Sequence, residues 1–163
     1  VASARQHVDN HTFISHNVAR CESNEMFKYV LNDQSVGAFA GKVLVKENCP
    51  RTVAYQGNRN IVASADAKMY SKPQLEIYTD DVKCSHGSAT GQLNEEALFY
   101  MRSRGISEAE ARQLLMQAFM SDVIDAVRLP ALKDRLHHLV EKRFRGQLAM
   151  CADCTAANCA AAK

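Results

Sequence analysis

Tryptophan is absent from this 163-residue sequence, which by itself excludes nothing. Other absences exclude more. No apolar run approaches the roughly 20 residues that a membrane-spanning helix needs. The opening residues, VASARQHVDN, lack the apolar segment of a secretory signal. They also lack an initiator Met, as expected of a piece cut from a longer chain. Charge of one sign is scarce: the formal net charge is +2, so no global footprint for nucleic acid or a membrane surface is present, and neither partner is expected. Walker, GxSxG, HExxH and GxGxxG patterns are missing, which removes the common nucleotide-binding and hydrolase signatures.

What is present begins with composition: 47% hydrophobic and 23% charged residues, ordinary for a globular domain. Six cysteines raise the possibility of a disulfide-stapled secreted domain. Their distribution opposes it. Cys21, Cys49 and Cys84 stand far apart, and the other three crowd the C-terminus. A reducing, cytoplasmic setting is the expectation.

From Gln6 to Thr79 short strand-like runs alternate with turn residues. The runs are Thr12–Ile14, Phe27–Leu31, Val43–Val45, Val53–Tyr55, Ile61–Val62 and Leu75–Ile77. Turns are expected at Asn32-Asp33, Asn48-Cys49-Pro50, Gly57-Asn58 and Ser71-Lys72-Pro73. No link has the length or period of a crossover helix, which excludes a doubly wound fold. A sandwich, a barrel and a solenoid all remain open, and the pattern does not choose between antiparallel pairing and stacked parallel coils.

Helical signals begin after Gly91. Asn94 is a good N-cap, Glu95 and Glu96 fall in the first turn, and Leu93 and Leu98 occupy hydrophobic-staple positions. Gly105 stops this helix. Ser107 to Glu110 form a capping box that opens a second, with Ala111, Leu114, Leu115, Ala118, Phe119 and Val123 as its apolar stripe. Pro130 starts a third, whose apolar face is Leu132, Leu136, Leu139, Val140 and Phe144, with Gly146 as its stop. The three are expected to form a small bundle or cap packed on the β part. The organisation expected is therefore a β core over 1–91, a helical domain over 92–146 and a mobile Cys-containing tail over 147–163.

The stretch PQLEIYTDDVKCSHGSATG, Pro73 to Gly91, concentrates the reactive side chains. If a strand continues past Lys83, Cys84 and His86 point to one face. Thiolate and neutral imidazole are both good ligands for zinc or iron. Two ligands do not close a site, so a partner chain or the tail would complete it. The bland alternative is a buried cysteine beside a loop histidine. In the tail, Cys151, Cys154 and Cys159 make a CxxC plus one, a metal-knuckle spacing without its second pair. A stand-alone metal-binding module using Cys84, His86 and these cysteines is the alternative reading. Asp80 and Asp81, adjacent in sequence, would point to opposite strand faces and suit a turn better than an acid–base pair. His7, His11 and His16 match no standard metal spacing. The third helix carries a basic face, Lys133, Arg135, His137, His138, Lys142, Arg143 and Arg145, of the kind that is usually solvated.

LEIYTDDVKCSHGSATGQLNEEALFYMRSRGISEAEARQLL closely resembles the C-terminal core of the SufB/SufD family of iron–sulfur cluster assembly proteins, and the DDVKCSHG element resembles the SufD type. VDNHT, FKYVLND, FAGKVLVKEN and TVAYQGNRNIVAS resemble the family's repeating coils, so the likeness runs from Gln6 to Val140. It departs from the family at Ala89, where a Thr is frequent, and family members are more than twice as long. The resemblance implies a right-handed parallel β-helix followed by a small helical domain. It implies a non-catalytic scaffold acting with SufB-like and SufC-like subunits, the latter an ATPase, and a possible homodimer through the β-helix. It implies a transient iron–sulfur cluster or iron at the subunit interface, held in part by His86 with Cys84 as companion, and none stably bound by this piece alone. It also implies that the SufC-like subunit docks around FYMRSRGIS, involving Phe99, Tyr100, Arg102, Arg104 and Gly105.

Overall fold

The computed structural model describes residues 1–147. Six strands are followed by three helices: β1 (His7–His16), β2 (Glu22–Leu31), β3 (Val36–Val45), β4 (Val53–Val62), β5 (Lys68–Ile77), β6 (Lys83–Gly91), α1 (Glu95–Ser103), α2 (Glu108–Asp125) and α3 (Pro130–Phe144). The strands form two three-stranded sheets, β1-β3-β5 and β2-β4-β6, in which every neighbouring pair is parallel. Neither sheet closes into a barrel. The chain visits the two sheets alternately, so each coil lays one strand on each. Register is carried over 29 to 32 residues, from His7 to Val36 to Lys68 and from Glu22 to Val53 to Lys83. Parallel pairing settles the choice that the pattern left open.

The same offset organises the corners. Arg20, Arg51 and Asp81 all have positive φ, and the Arg20 amide donates to the Pro50 carbonyl, the Arg51 amide to the Asp81 carbonyl. At the opposite corner the Ala4 amide donates to Asp33 Oδ2, and the Asp33 amide to Ser64 Oγ. Left-handed conformations in residues other than glycine each cost about 1–2 kcal/mol. Inter-coil hydrogen bonding offsets that cost, since it satisfies the turn's amides.

Two stretches read as turns are strand interiors. Gly57-Asn58 lies within β4, so Val53–Tyr55 and Ile61–Val62 are one strand, and Ser71-Lys72-Pro73 lies within β5. Pro73 fits because β5 is an edge strand bonded only to β3, and a missing amide on the free side disturbs no ladder. Gly57 fits because the Met26 side chain lies across it on the outer face.

The sheets pack through their inner faces. Phe27 of β2 meets Phe39 of β3 with ring centroids 4.8 Å apart. Ala2, Tyr29, Leu31, Phe39 and Ala67 form the buried cluster, with Val8, Phe27, Val62 and Met69 against it. Tyr29, the polar member, donates to the Ala38 carbonyl and accepts from Asn10 Nδ2, and its burial holds the phenol pKa above 10.

The chain divides into two compact units, 1–116 and 117–163, with the division inside α2. In the first, the Ala97 amide donates to the Asn94 cap and Leu93 and Leu98 are both buried. Gly105 has φ +89°, and the Glu110 amide donates to Ser107 Oγ. In the second, α3 opens with Pro130 in its first turn and buries no residue among those described. Leu132 and Leu139, expected in a bundle seam, are exposed. No helix among the described residues is long and apolar enough to cross a membrane.

Candidate functional site

β6 places Cys84 and His86. Its sequence, KCSHGSATG, has no apolar alternation; pairing with β4 holds it extended, with Cys84 beside Ala54 and His86 beside Gln56. On β4 the alternate residues Ala54, Gln56, Asn58 and Asn60 are the buried, inward ones. Parallel register therefore sets Cys84, His86, Ser88 and Thr90 on the inner face of the last strand. Their α-carbons step by about 6.6 Å from one to the next. Among the described residues no strand follows β6 in its sheet. Hence Cys84 is half-buried and His86 is exposed, although both occupy inner positions.

The two side chains differ in readiness. Burial raises the Cys84 thiol above its usual 9.0, opposed by a backbone hydrogen bond from Ala54, so it is a thiol at neutral pH. A metal binding there must displace the proton. The His86 ring has no side-chain hydrogen bond or ion pair among the described residues.

Behind them lies a polar layer that sequence reasoning missed. Gln56 Nε2 donates to Glu25 Oε2 at 2.7 Å, Asn60 Nδ2 donates to Asn58 Oδ1 at 2.7 Å and to Thr90 Oγ1 at 3.1 Å, and Ser88 donates to Ser71 at 2.7 Å. Gln56 Oε1, Asn58 Nδ2, Asn60 Oδ1 and Thr12 Oγ1 are buried without partners. Native interiors seldom leave such atoms bare. The signal available in the sequence was the coil offset: 30 residues separate Gln56 from His86, as they separate Val53 from Lys83.

Other candidates separate. His7 and His11 lie on the outer face of β1, where His11 sits 3.1 Å from Asp9, while His16 is buried and bonded to Ser23. Asp80 and Asp81 occupy the β5–β6 corner, with Asp81 Oδ2 3.7 Å from Arg51 Nε. Among the described residues no group of three or more His, Cys, Asp or Glu could hold a metal ion. Cys151, Cys154 and Cys159 lie outside the described residues.

Phe99 and Tyr100 are 73% and 59% exposed on α1, with the Arg104 guanidinium 5.2 Å from the Tyr100 ring. Arg102 pairs with Glu108 at 3.5 Å across the α1–α2 turn, where Gly105 supplies the left-handed residue. Two adjacent exposed aromatics beside a fixed guanidinium have the chemistry of a protein-docking patch.

A family model described as the SUF system FeS cluster assembly SufBD core domain matches residues 1–119. An iron–sulfur cluster assembly SufBD family protein of Synechocystis sp. is 38% identical over 143 residues, covering 88% of this chain and 32% of that protein. The iron–sulfur cluster assembly protein SufD of Escherichia coli is 36% identical over 138 residues, 85% of this chain and 33% of that one. A SufBD family protein of Mycobacterium leprae is 35% identical over 144 residues, 83% and 37% of the two chains. The chain spans about a third of the length of these relatives.

Proposed function

The chain belongs to the SufBD core family of the SUF iron–sulfur cluster assembly system, and on that premise we propose that it is the C-terminal part of a SufD-type scaffold subunit. It acts with a SufB-like subunit and a SufC-like ATPase, catalyses no reaction of its own, and contributes half of a site where a cluster is built as cargo. The setting proposed is the cytoplasm. Its sheets are the last coils of a right-handed β-helix. Parallel strands joined through a second sheet support that hand, because such crossovers are right-handed in almost all proteins.

One observation carries the reading: Cys84 and His86 occupy inner positions of β6, an edge strand among the described residues. A thiol and an imidazole in a two-residue frame supply two ligands of a tetrahedral iron, and the partner supplies the rest. The same strand offers the partner an edge. Among the described residues its free side pairs with no strand, and a Cβ added at Gly87 or Gly91 would meet no described atom within 4 Å beyond the neighbouring residues. Phe99, Tyr100, Arg102, Arg104 and Gly105 form the contact for the SufC-like subunit. The Phe99 and Tyr100 rings supply apolar area and Arg104 the charge-assisted bond.

Reconstitution tests the proposal. Parent chain and His86→Ala are each combined with SufB-like and SufC-like subunits, and cluster absorbance is followed after adding iron and a sulfur source. A large drop in cluster yield in the variant is expected. Equal yield removes His86 from the ligand set. Unchanged metal content after replacing Cys151, Cys154 and Cys159 by Ser would exclude the stand-alone module.

A further inference from the structure

Two arginines end α1, and their surroundings differ. Arg102 Nη1 lies 3.5 Å from Glu108 Oε2, and the other oxygen of that carboxylate, Oε1, accepts from Arg112 Nε at 3.1 Å. One carboxylate is thus shared between a cation of α1 and a cation of α2, across the turn in which Gly105 has φ +89°. Arg104 has no ion pair among the described residues. Its guanidinium lies over the Tyr100 ring, 5.2 Å from the centroid. Contact with a ring face holds the cation in place without supplying the anion that its donor fork fits.

The rest of α1 sharpens the difference. Its outer side runs from Glu95 and Glu96 in the first turn, through exposed Phe99 and Tyr100, to Arg104 at the C-cap. The two acids complement the partial positive charge of the helix N-terminus. The helix C-terminus likewise favours a cation at Arg104, but a lysine would serve that purpose as well. What a lysine lacks is the planar fork that meets a carboxylate through two parallel hydrogen bonds. An arginine fixed beside two exposed rings, with no carboxylate of its own chain, has the chemistry to receive one from another protein.

We propose that Arg104 is the residue by which the α1 patch selects its partner. The Phe99 and Tyr100 rings cover apolar surface of the SufC-like subunit, and Arg104 receives one carboxylate of that subunit between them and the turn. Arg102 stays with Glu108, braces the turn, and takes no part in recognition. The inference rests on the docking reading given above, and adds to it the sign of the partner's charge and the one arginine that meets it.

Calorimetric titration of the purified SufC-like subunit into the parent chain and its variants, at low and high salt, provides the test. Phe99→Ala probes the docking site itself and is expected to weaken binding about tenfold or more. Arg104→Gln is expected to weaken it by a similar factor and to flatten its salt dependence. Arg104→Lys keeps the charge and loses the fork, so it should recover only part of the affinity. Arg102→Gln leaves Glu108 paired with Arg112, and is expected to bind within about twofold of the parent, with the parent's salt dependence. Parent-like binding in Arg104→Gln, full recovery in Arg104→Lys, or an equal loss in Arg102→Gln overturns the proposal. Circular dichroism identifies any variant that has lost helix; should Arg104→Gln do so, Arg104→Lys decides. Parent-like binding in Phe99→Ala removes α1 as the docking site and with it the reading beneath. A loss there beside parent-like Arg104→Gln defeats only the selection by Arg104, so the two fail separately.

Discussion

The two inner faces of the β part are built from different materials. On the β1-β3-β5 sheet the inward positions are largely apolar, with Phe39, Val43 and Val45 fully buried. The β2-β4-β6 sheet begins alike, with Phe27, Tyr29 and Leu31, then changes to Gln56, Asn58 and Asn60 and ends in Cys84, His86, Ser88 and Thr90. One face removes apolar surface from water at roughly 25 cal/mol per Å². The other surrenders that gain at Gln56, Asn58 and Asn60, each of which leaves a buried polar atom unpartnered where the first face leaves one at Thr12, a loss that stability alone does not explain. The polar face leads to the strand whose end is open. The contrast assigns stability to one sheet and chemistry to the other, and substitutions can break it.

The largest effect is expected on the apolar face. Phe39→Ala removes a buried ring packed at a tilt against Phe27 and should destabilise the chain by about 3–5 kcal/mol, measured as a lowered denaturant midpoint with unchanged slope. A loss under about 1 kcal/mol would mean that the two faces do not differ as argued. Gly41→Val tests the join between them. Its side chain has no space between Gln56 and Phe39, and overpacking of this kind costs about 1–3 kcal/mol. Because the clash falls on Gln56, the same variant should also disturb the His86 amide signal, and an undisturbed signal would uncouple the faces.

How much of this was readable in the chain depends on which interactions set each element. α1 and α2 follow from Asn94, Ser107 and Gly105 acting within one turn of themselves, and such local chemistry shows in a sequence. β6 does not, because nothing in KCSHGSATG alternates; Val53 to Ile61 of β4, a coil away, hold it in register. Gly57-Asn58 and Ser71-Lys72-Pro73 carry turn residues, and only the stacked coil explains why they stay extended. Cys84 and His86 were visible because alternation within one strand needs no partner. Gln56 was not, since its place beside His86 exists only once the coils are aligned.

Cys84 gives a smaller, pH-dependent effect. Its folded pKa lies above 9.0 because burial disfavours the thiolate. The folded state then holds its proton where the unfolded state has lost it. This contribution to stability is whole below pH 9 and declines as pH rises through the folded value. Alkylation of Cys84, followed site by site by mass spectrometry, should be slow at pH 8 and accelerate only above pH 9. Rapid labelling at pH 8 would show a thiolate already present and contradict the burial argument.

The smallest effect on stability is expected at the residue proposed to hold the cluster. His86 is exposed, and its ring makes no side-chain bond among the described residues that its removal could break. Exposed positions of that kind shift stability by no more than about 0.5 kcal/mol. His86→Ala should therefore unfold at the parent's denaturant concentration while failing in cluster reconstitution. A destabilisation well above 1 kcal/mol would place His86 in the structural framework and dissolve the contrast between the faces. Parent-like stability with lost cluster assembly would fix the boundary between them at β6, where the buried amide layer ends and the proposed ligand pair begins.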